Sequence, residues 1–440
     1  MTKSNCFRDF ARYASLNVLG MIGLSCYILA DTFFISKGLG ADGLTALNLA
    51  IPIYSFIHGS GLMIGMGGGT KYSILKSQNK HDAANRVFTH ALYLAAAFAV
   101  FFVLTGIFFS GHIVSLFGAD GQVYEMSNTY LKVIFLFAPA FLMNNVLLCF
   151  VRNDGAPQRS MAAMITGSLS NVVLDWVFIF PCRMGIFGAV FATGLAPVIS
   201  ILVLSPHMIR KRNGFHVIVC RPAANPAAGI LSSGIPSLVT EVSSGIVMIV
   251  LNSILMNLEG NVGVAAYSII ANLSLVVIAV FTGIAQGIQP LISRNYGQNS
   301  RSGIQSILRY AMVSVLVLSA LLYSAVFLGA PQITDIFNSE HNAVLARIAQ
   351  EGMRLYFIAC PFAGINIVMS MYFTSSDCPL PAHVIALLRG FFLIIPLAFL
   401  LSRIGGLTGV WCAFPAAEGL TAAAAGVFYF LTRTRKIKPE

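Results

Sequence analysis

Asp175 sits in the middle of the apolar segment Ser170–Phe180, S-N-V-V-L-D-W-V-F-I-F, with Asn171 four residues before it. On a helix that spacing puts the acid and the amide on one face, about one turn apart. A second isolated carboxylate, Asp31, interrupts the first apolar segment of the chain. Acids at membrane depth are costly, and they usually face a bundle interior where they bind ions or protons. The chemistry on offer is therefore cation capture. Carboxylates and an amide carbonyl supply hard oxygens suited to a small hard cation. Two acids held close together would share a proton instead. Oxygen donors alone leave Na+ and H+ both open.

Such residues need a membrane frame, and composition supplies one. Of 440 residues, 57% are hydrophobic and only 10% charged, with a mean hydropathy of +0.80. A soluble domain carries about 25% charged residues, so this chain cannot cover itself with a water-soluble surface and reads as an integral membrane protein. A spanning helix needs about 20 mainly apolar residues. Twelve such segments are centred near residues 26, 57, 100, 138, 171, 198, 243, 278, 317, 362, 394 and 420. The net charge of +11 does not point to nucleic acid, because the basic residues recur in short clusters between apolar segments. With both termini cytoplasmic, 21 of the 27 Lys and Arg residues fall inside, Lys71, Lys76, Arg152, Arg294 and Arg389 among them. That bias follows the positive-inside rule. The first segment is long, is interrupted by Asp31 and lacks a small-x-small site, so no cleavable signal peptide is expected. The eight cysteines are scattered without a C-x-x-C pair. They read as apolar packing residues, with no metal site, disulfide or cofactor implied.

The two halves resemble each other. G-L-G-A-D-G-L-T-A-L from Gly38 answers to E-G-N-V-G-V-A-A-Y from Glu259, and the pairs Gly43/Gly263 and Gln78/Gln298 are each 220 positions apart. Asp154 and Asp377 sit in a second matching stretch. Six spans per half give both repeats the same orientation, related by an axis along the membrane normal. The expected organisation is an N-terminal six-helix lobe (1–209), a basic cytoplasmic linker (210–228) and a C-terminal six-helix lobe (229–440). Ile394 and Ala398 match Asn171 and Asp175, and Asn252 matches Asp31. The buried acid–amide cluster is thus expected in the first half alone, which argues for a dedicated ion site.

The motifs A-D-T-F-F-I-S-K-G-L-G from Ala30, N-V-V-L-D-W-V-F-I-F from Asn171 and G-A-V-F-A-T from Gly188 carry a family likeness. Y-G-Q-N at Tyr296 and G-V-W at Gly409 add to it. Over essentially its whole length the chain resembles a multidrug and toxic compound extrusion (MATE) transporter. The resemblance implies an all-α integral membrane fold, with twelve transmembrane helices in two six-helix lobes around a central cavity that opens alternately to either side. It also implies exchange of an organic substrate, usually cationic or amphipathic, against inward-moving Na+ or H+. In the family an Asp of the first span, an Asn and an Asp of the fifth and a Thr of the sixth gather around a cation. Carried over, these are Asp31, Asn171, Asp175 and Thr193. Two positions depart from the pattern: Trp176 stands where Pro is often found, and Leu16 stands where many relatives carry a proline in the first span.

Other residues at depth have further readings. Glu241, in the seventh span five residues after Pro236, is a candidate for substrate attraction or coupling, and Glu418, after Pro415 in the twelfth, is a second. Asp154 and Asp377 fall at cytoplasmic turns and read as capping or turn residues. Gly61-x-x-x-Gly65-x-x-x-Gly69 reads as a helix–helix seam, echoed by Gly283 and Gly287. His58, alone in the second span, reads as a packed hydrogen-bonding residue. With no G-x-x-x-x-G-K-[ST] loop, direct ATP use is not indicated.

The resulting expectation is a monomeric, multi-pass antiporter of a bacterial inner (cytoplasmic) membrane, exporting small organic, often cationic compounds against Na+ or H+. It is not expected to be an enzyme. A flippase for a lipid-linked precursor is the nearer alternative, and it would carry basic groups in the cavity for a pyrophosphate. A membrane-embedded enzyme is the alternative from another class. It would need a paired His/Asp or metal constellation at a span end, and none is visible.

Overall fold

The computed structural model describes residues 3–338 and 342–435, which form helices joined by short turns, with no strand among them. Apolar runs of this length satisfy their backbone groups internally as helices, which is what lipid demands of them. The first run, Lys3–Ser77, breaks at Gly40, where φ is 67 and ψ −155, a conformation open to glycine because it lacks a Cβ. The break yields α1 (3–39) and α2 (41–77). Next come α3 (His81–Leu116), α4 (Gly121–Leu136 and Ala138–Asn153, bent by 47° between them), α5 (Pro157–Ile179) and α6 (Gly185–Ile209). Ala224–Gly297 breaks in the same way at Gly260 (φ 60, ψ −146) into α7 (224–259) and α8 (261–297). After α9 (Arg301–Phe337) and α10 (Ala343–Ser375), a break at Gly406 separates α11 (379–405) from α12 (407–435). Nine apolar runs, counting bent α4 as one, with three of them broken once, make the twelve expected spans, and each expected centre lies inside its own helix.

Gly40 and Gly260 are 220 positions apart, as are Asn79 and Asn299, which take φ values of 58 and 54. The repeat is therefore written into the turns as well as the helices. Buried apolar side chains gather in two cores, one centred on Ile57, Phe102, Ile134 and Phe150, the other on Phe281, Val315, Phe373 and Trp411. The first helix of each half crosses the divide. Phe10, Tyr13 and Ala14 of α1 join the second core, and Ile230 of α7 joins the first.

Glycine makes this crossing tight. A Cβ on Gly67 would lie 1.9 Å from the Ile230 carbonyl oxygen, and one on Gly234 would lie 1.9 Å from that of Met63. The Gly61, Gly65 and Gly69 seam faces Asn145, Cys149 and Asn153 on α4, while its echo, Gly283 and Gly287, faces Val18 and Ala14 on α1. Polar contacts close the same region. Arg152 is fully buried and donates to Asn17 Oδ1 (2.8 Å) and Gln286 Oε1 (2.7 Å). Gln289 bridges Asn153 and Thr70, Lys71 pairs with Asp377, and Arg294 pairs with Asp9. Two expectations are corrected here. Arg152 is not a loop charge but part of the seal between lobes, and Asp377 does more than turn the chain. Gly67→Ala is expected to loosen this seal. A cysteine placed at Ser77, beside Gly297, should then label several-fold faster with a water-soluble maleimide. Unchanged labelling would show that the backbone contact does not hold the lobes together.

Residues 210–223, between α6 and α7, carry no helix and lie along the first lobe. Phe215 is buried against Phe88 and Phe150, and the Ile218 N–H donates to Thr89 (3.1 Å). Asp154 anchors the stretch by accepting from Tyr72, Lys76 and the Gly214 N–H. Arg159 donates to His207 Nδ1, and His207 donates from Nε2 to Asp154 (both 2.9 Å). Burial alone would push the Asp154 carboxyl up, but hydrogen bonds from Lys76, Gly214 and His207 and the Lys76 charge hold it below the usual carboxylate value. The stability this anchor adds is therefore present near neutral pH and is lost only as pH falls through that depressed value.

Candidate cation site

Asp31 comes from α1, Asn171 and Asp175 from α5, and Thr193 from α6. The structure brings these four into the core of the first lobe. All are buried, with Asp31 7% exposed and Asp175 0%. Gly20 and Gly23 let α1 lie against Met164 and Ile165 of α5, which delivers the Asp31 carboxyl to Asp175. The two carboxyls lie within hydrogen-bond reach of each other. Oδ1 of Asp31 and Oδ1 of Asp175 are both buried without a partner. A buried polar atom that the protein leaves unsatisfied calls for an explanation, and one unsatisfied oxygen on each of two neighbouring acids fits a bound Na+ or a shared proton.

The amide differs from the sequence expectation. With its nitrogen facing Asp175, Asn171 donates to Asp175 Oδ2 (3.1 Å) while its oxygen accepts from the Thr193 N–H (3.2 Å). Asn171 thus orients Asp175, and its carbonyl points away from the acids. The Thr193 hydroxyl donates to Ala189 O (3.1 Å), the self-bonding common for Thr in helices, and keeps a lone pair for a further contact. Tyr130 of α4 is buried in the same core. Sequence reasoning missed this tyrosine, because nothing along the chain links α4 to α6. Among the described residues no group of three or more His, Cys, Asp or Glu side chains could hold a metal ion, so any cation here relies on two acids and neighbouring hydroxyls.

Glu241 lies away from that site, on α7 where it meets α2. Its carboxylate is 3.5 Å from His58 Nδ1, and its side chain is 34% exposed. An acid at mid-helix that faces the other lobe and keeps a third of its surface borders the space between lobes. Glu418 is a different case. It is 1% exposed, accepts from Arg389 Nε (3.1 Å) and Nη2 (2.8 Å) on Oε1, and accepts from Asn366 (2.6 Å) on Oε2. Its carboxylate is fully engaged inside the second lobe. Two expectations change with it. Arg389 is no loop charge, since its side chain is 11% exposed and pairs with Glu418 from a π-helical turn, Leu388–Phe392, within α11. The second half also has a buried acid–amide pair of its own, reached through α10 and α12 instead of the positions matching Asn171 and Asp175.

Two duplicated six-helix lobes, a buried acid pair in one of them and a tight seal between them define the class as two-lobed membrane transporters. The MatE family model matches residues 18–177 and 236–400, well over half of the chain, and the chain belongs to that family. It is a transporter and not an enzyme. The multidrug export protein MepA of Staphylococcus saprophyticus is 26% identical over 435 residues, covering 98% of this chain and 95% of its own length. MepA of Staphylococcus aureus matches equally, at 26% over 435 residues. A MATE crystal structure in complex with MaL6 superposes with a TM-score of 0.90 at 24% identity, covering 97% of this chain and 95% of its own. A MOP superfamily transporter from Pyrococcus furiosus gives 0.91 at 23% identity, covering 98% and 96%. At those identities the structures speak for the fold alone.

Proposed function

We propose that the protein is a cation-coupled (Na+ or H+) multidrug efflux antiporter that exports amphipathic or cationic organic compounds by alternating access. The observation that carries this reading is the pair of neighbouring, buried carboxyls of Asp31 and Asp175, each with an oxygen that the protein leaves unsatisfied. The MepA relatives, named as multidrug export proteins, support the substrate class. The inside bias of Lys and Arg supports cytoplasmic termini in a cytoplasmic membrane. In that orientation the sealed side is cytoplasmic, and residues 1–209 and 229–440 rock against each other as the two lobes of a single chain. Cation binding would favour the outward-releasing state to the extent that the two states differ in cation affinity. A lipid-precursor flippase is less well supported, because the basic groups at depth are already engaged, Arg389 by Glu418 and Arg152 by Asn17 and Gln286.

The test is efflux of a fluorescent cationic dye from proteoliposomes under a Na+ gradient and a pH gradient imposed separately. Faster efflux under one of them is expected, and it names the ion. No efflux under either, with correctly inserted protein, overturns the reading.

A further inference from the structure

Four side chains form a continuous series between the acid pair and the lobe interface. On α1, Tyr27 lies one turn before Asp31; on α2, Tyr54 lies one turn before His58, so each pair shares a helix face. The Tyr27 and Tyr54 hydroxyls are 2.9 Å apart. The Tyr54 ring stacks on the His58 imidazole at 5.7 Å and 15° and is held from the side by Phe141 (5.5 Å, 84°). His58 Nδ1 then meets Glu241 across the interface at 3.5 Å.

We propose that Tyr27, Tyr54 and His58 are positioning residues that couple the cation state of the Asp31–Asp175 pair to the cross-lobe contact between His58 and Glu241. The proposal rests on the cation-coupled reading above and adds the route by which the ion site reaches the space where substrate binds.

The physical argument is one of shared, discrete contacts. Two tyrosine hydroxyls sharing one hydrogen bond have two donor arrangements, and the electrostatics of a nearby carboxyl choose between them. A cation or proton arriving at Asp31 removes that bias. A swap of donor needs only rotation of the two O–H bonds, but losing or lengthening the 2.9 Å bond shifts the Tyr54 ring, which lies in an offset stack on His58. His58 in turn cannot move without altering its distance to Glu241. Along this route the groups that carry or can change charge are Asp31 and Tyr27 on α1, Tyr54 and His58 on α2, Tyr130 on α4, Asp175 on α5 and Glu241 on α7. The outer end of the series is the one member on the second lobe, so whatever moves it also acts on the lobe interface.

The experiment measures binding of tetraphenylphosphonium to the full-length protein in nanodiscs. Affinity is measured with and without Na+ at fixed pH, and at high and low pH without Na+. The ratio of affinities across the coupling cation is the coupling factor, about 5- to 150-fold in typical cases. Tyr54→Phe removes only the hydroxyl that meets Tyr27, and His58→Phe keeps the stack but loses the nitrogen that meets Glu241. In both variants the factor is expected to fall towards one. Tyr54→Phe should keep the wild-type affinity in the cation-free condition, and Tyr27→Phe should match it, since the two share one bond. A wild-type factor in Tyr54→Phe and His58→Phe overturns the proposal. So does a weakened affinity with the factor intact, because that leaves the tyrosine a packing role alone. A factor of one in the wild-type protein instead overturns the cation-coupled reading, and the proposal falls with it.

Discussion

Asp175→Asn is expected to abolish gradient-driven dye efflux while the protein still inserts and folds. The substitution preserves shape and keeps an oxygen where Asn171 donates to Asp175 Oδ2 at 3.1 Å. It removes the charge that a cation needs, and no compensating acid stands nearby except Asp31. A folded state that no longer buries this carboxylate loses a destabilising group, so thermal stability should hold or rise. Coupling between sites is typically worth a factor of about 5 to 150, and efflux should fall by at least that range towards leak. Asp31→Asn should have the same effect, because the proposed site draws on both carboxyls. The double variant should be no worse than either single one, the non-additivity expected of residues acting together. Normal coupled efflux in both single variants would move the cation site elsewhere, with Glu241 the next acid at depth. Efflux lost together with membrane insertion would instead mark Asp175 as a folding residue.

Much of the architecture is legible in the chain because membrane helices satisfy their own backbones. Apolar length together with glycine breaks sets the number of spans, and the glycines at 40 and 260 mark matching breaks 220 positions apart. Asp31, Asn171 and Asp175 stand out because an acid inside an apolar run is costly enough to need a reason. What stays hidden depends on contacts between distant helices. Arg389 reads as a cytoplasmic charge because a single Arg near the start of a span fits that reading equally well. Only the packing of α11 against α12 brings Glu418 to it. Arg152 ends α4 like any loop residue, and its burial follows from the meeting of α1 and α8. Tyr130 shows no signal, since its place in the same buried core as the site is set by the packing of a different helix. Tyr27 and Tyr54 do leave a trace, each one turn before a polar residue at depth, but that spacing gains meaning only once α1 and α2 are seen to touch.

Arg389→Ala is expected to destabilise the second lobe by about 3–5 kcal/mol, the usual consequence of leaving a buried charge without its partner. The Arg389 side chain is 11% exposed and that of Glu418 is 2%, so water can do little to screen the lost pair. Two donors from one guanidinium reach the same carboxylate oxygen, while Asn366 holds the other. The wide π-helical turn at Leu388–Phe392 aims the guanidinium at α12, and such turns recur at sites under specific demand. Glu418→Gln alone should also destabilise, because it leaves the arginine unpaired. The double variant Arg389→Met with Glu418→Gln should recover most of the loss, since neutral side chains of similar volume replace buried ion pairs at little penalty. Thermal unfolding in detergent, followed by size-exclusion chromatography, ranks these proteins. The expected order puts both single variants well below wild type, with the double variant close to it. Dye efflux separates the remaining reading. A double variant that is stable and still exports makes the pair a structural brace of the second lobe, with a tethered guanidinium in an acid–amide setting like the one proposed to hold a cation in the first lobe. A double variant that is stable but silent places Glu418 in the transport cycle.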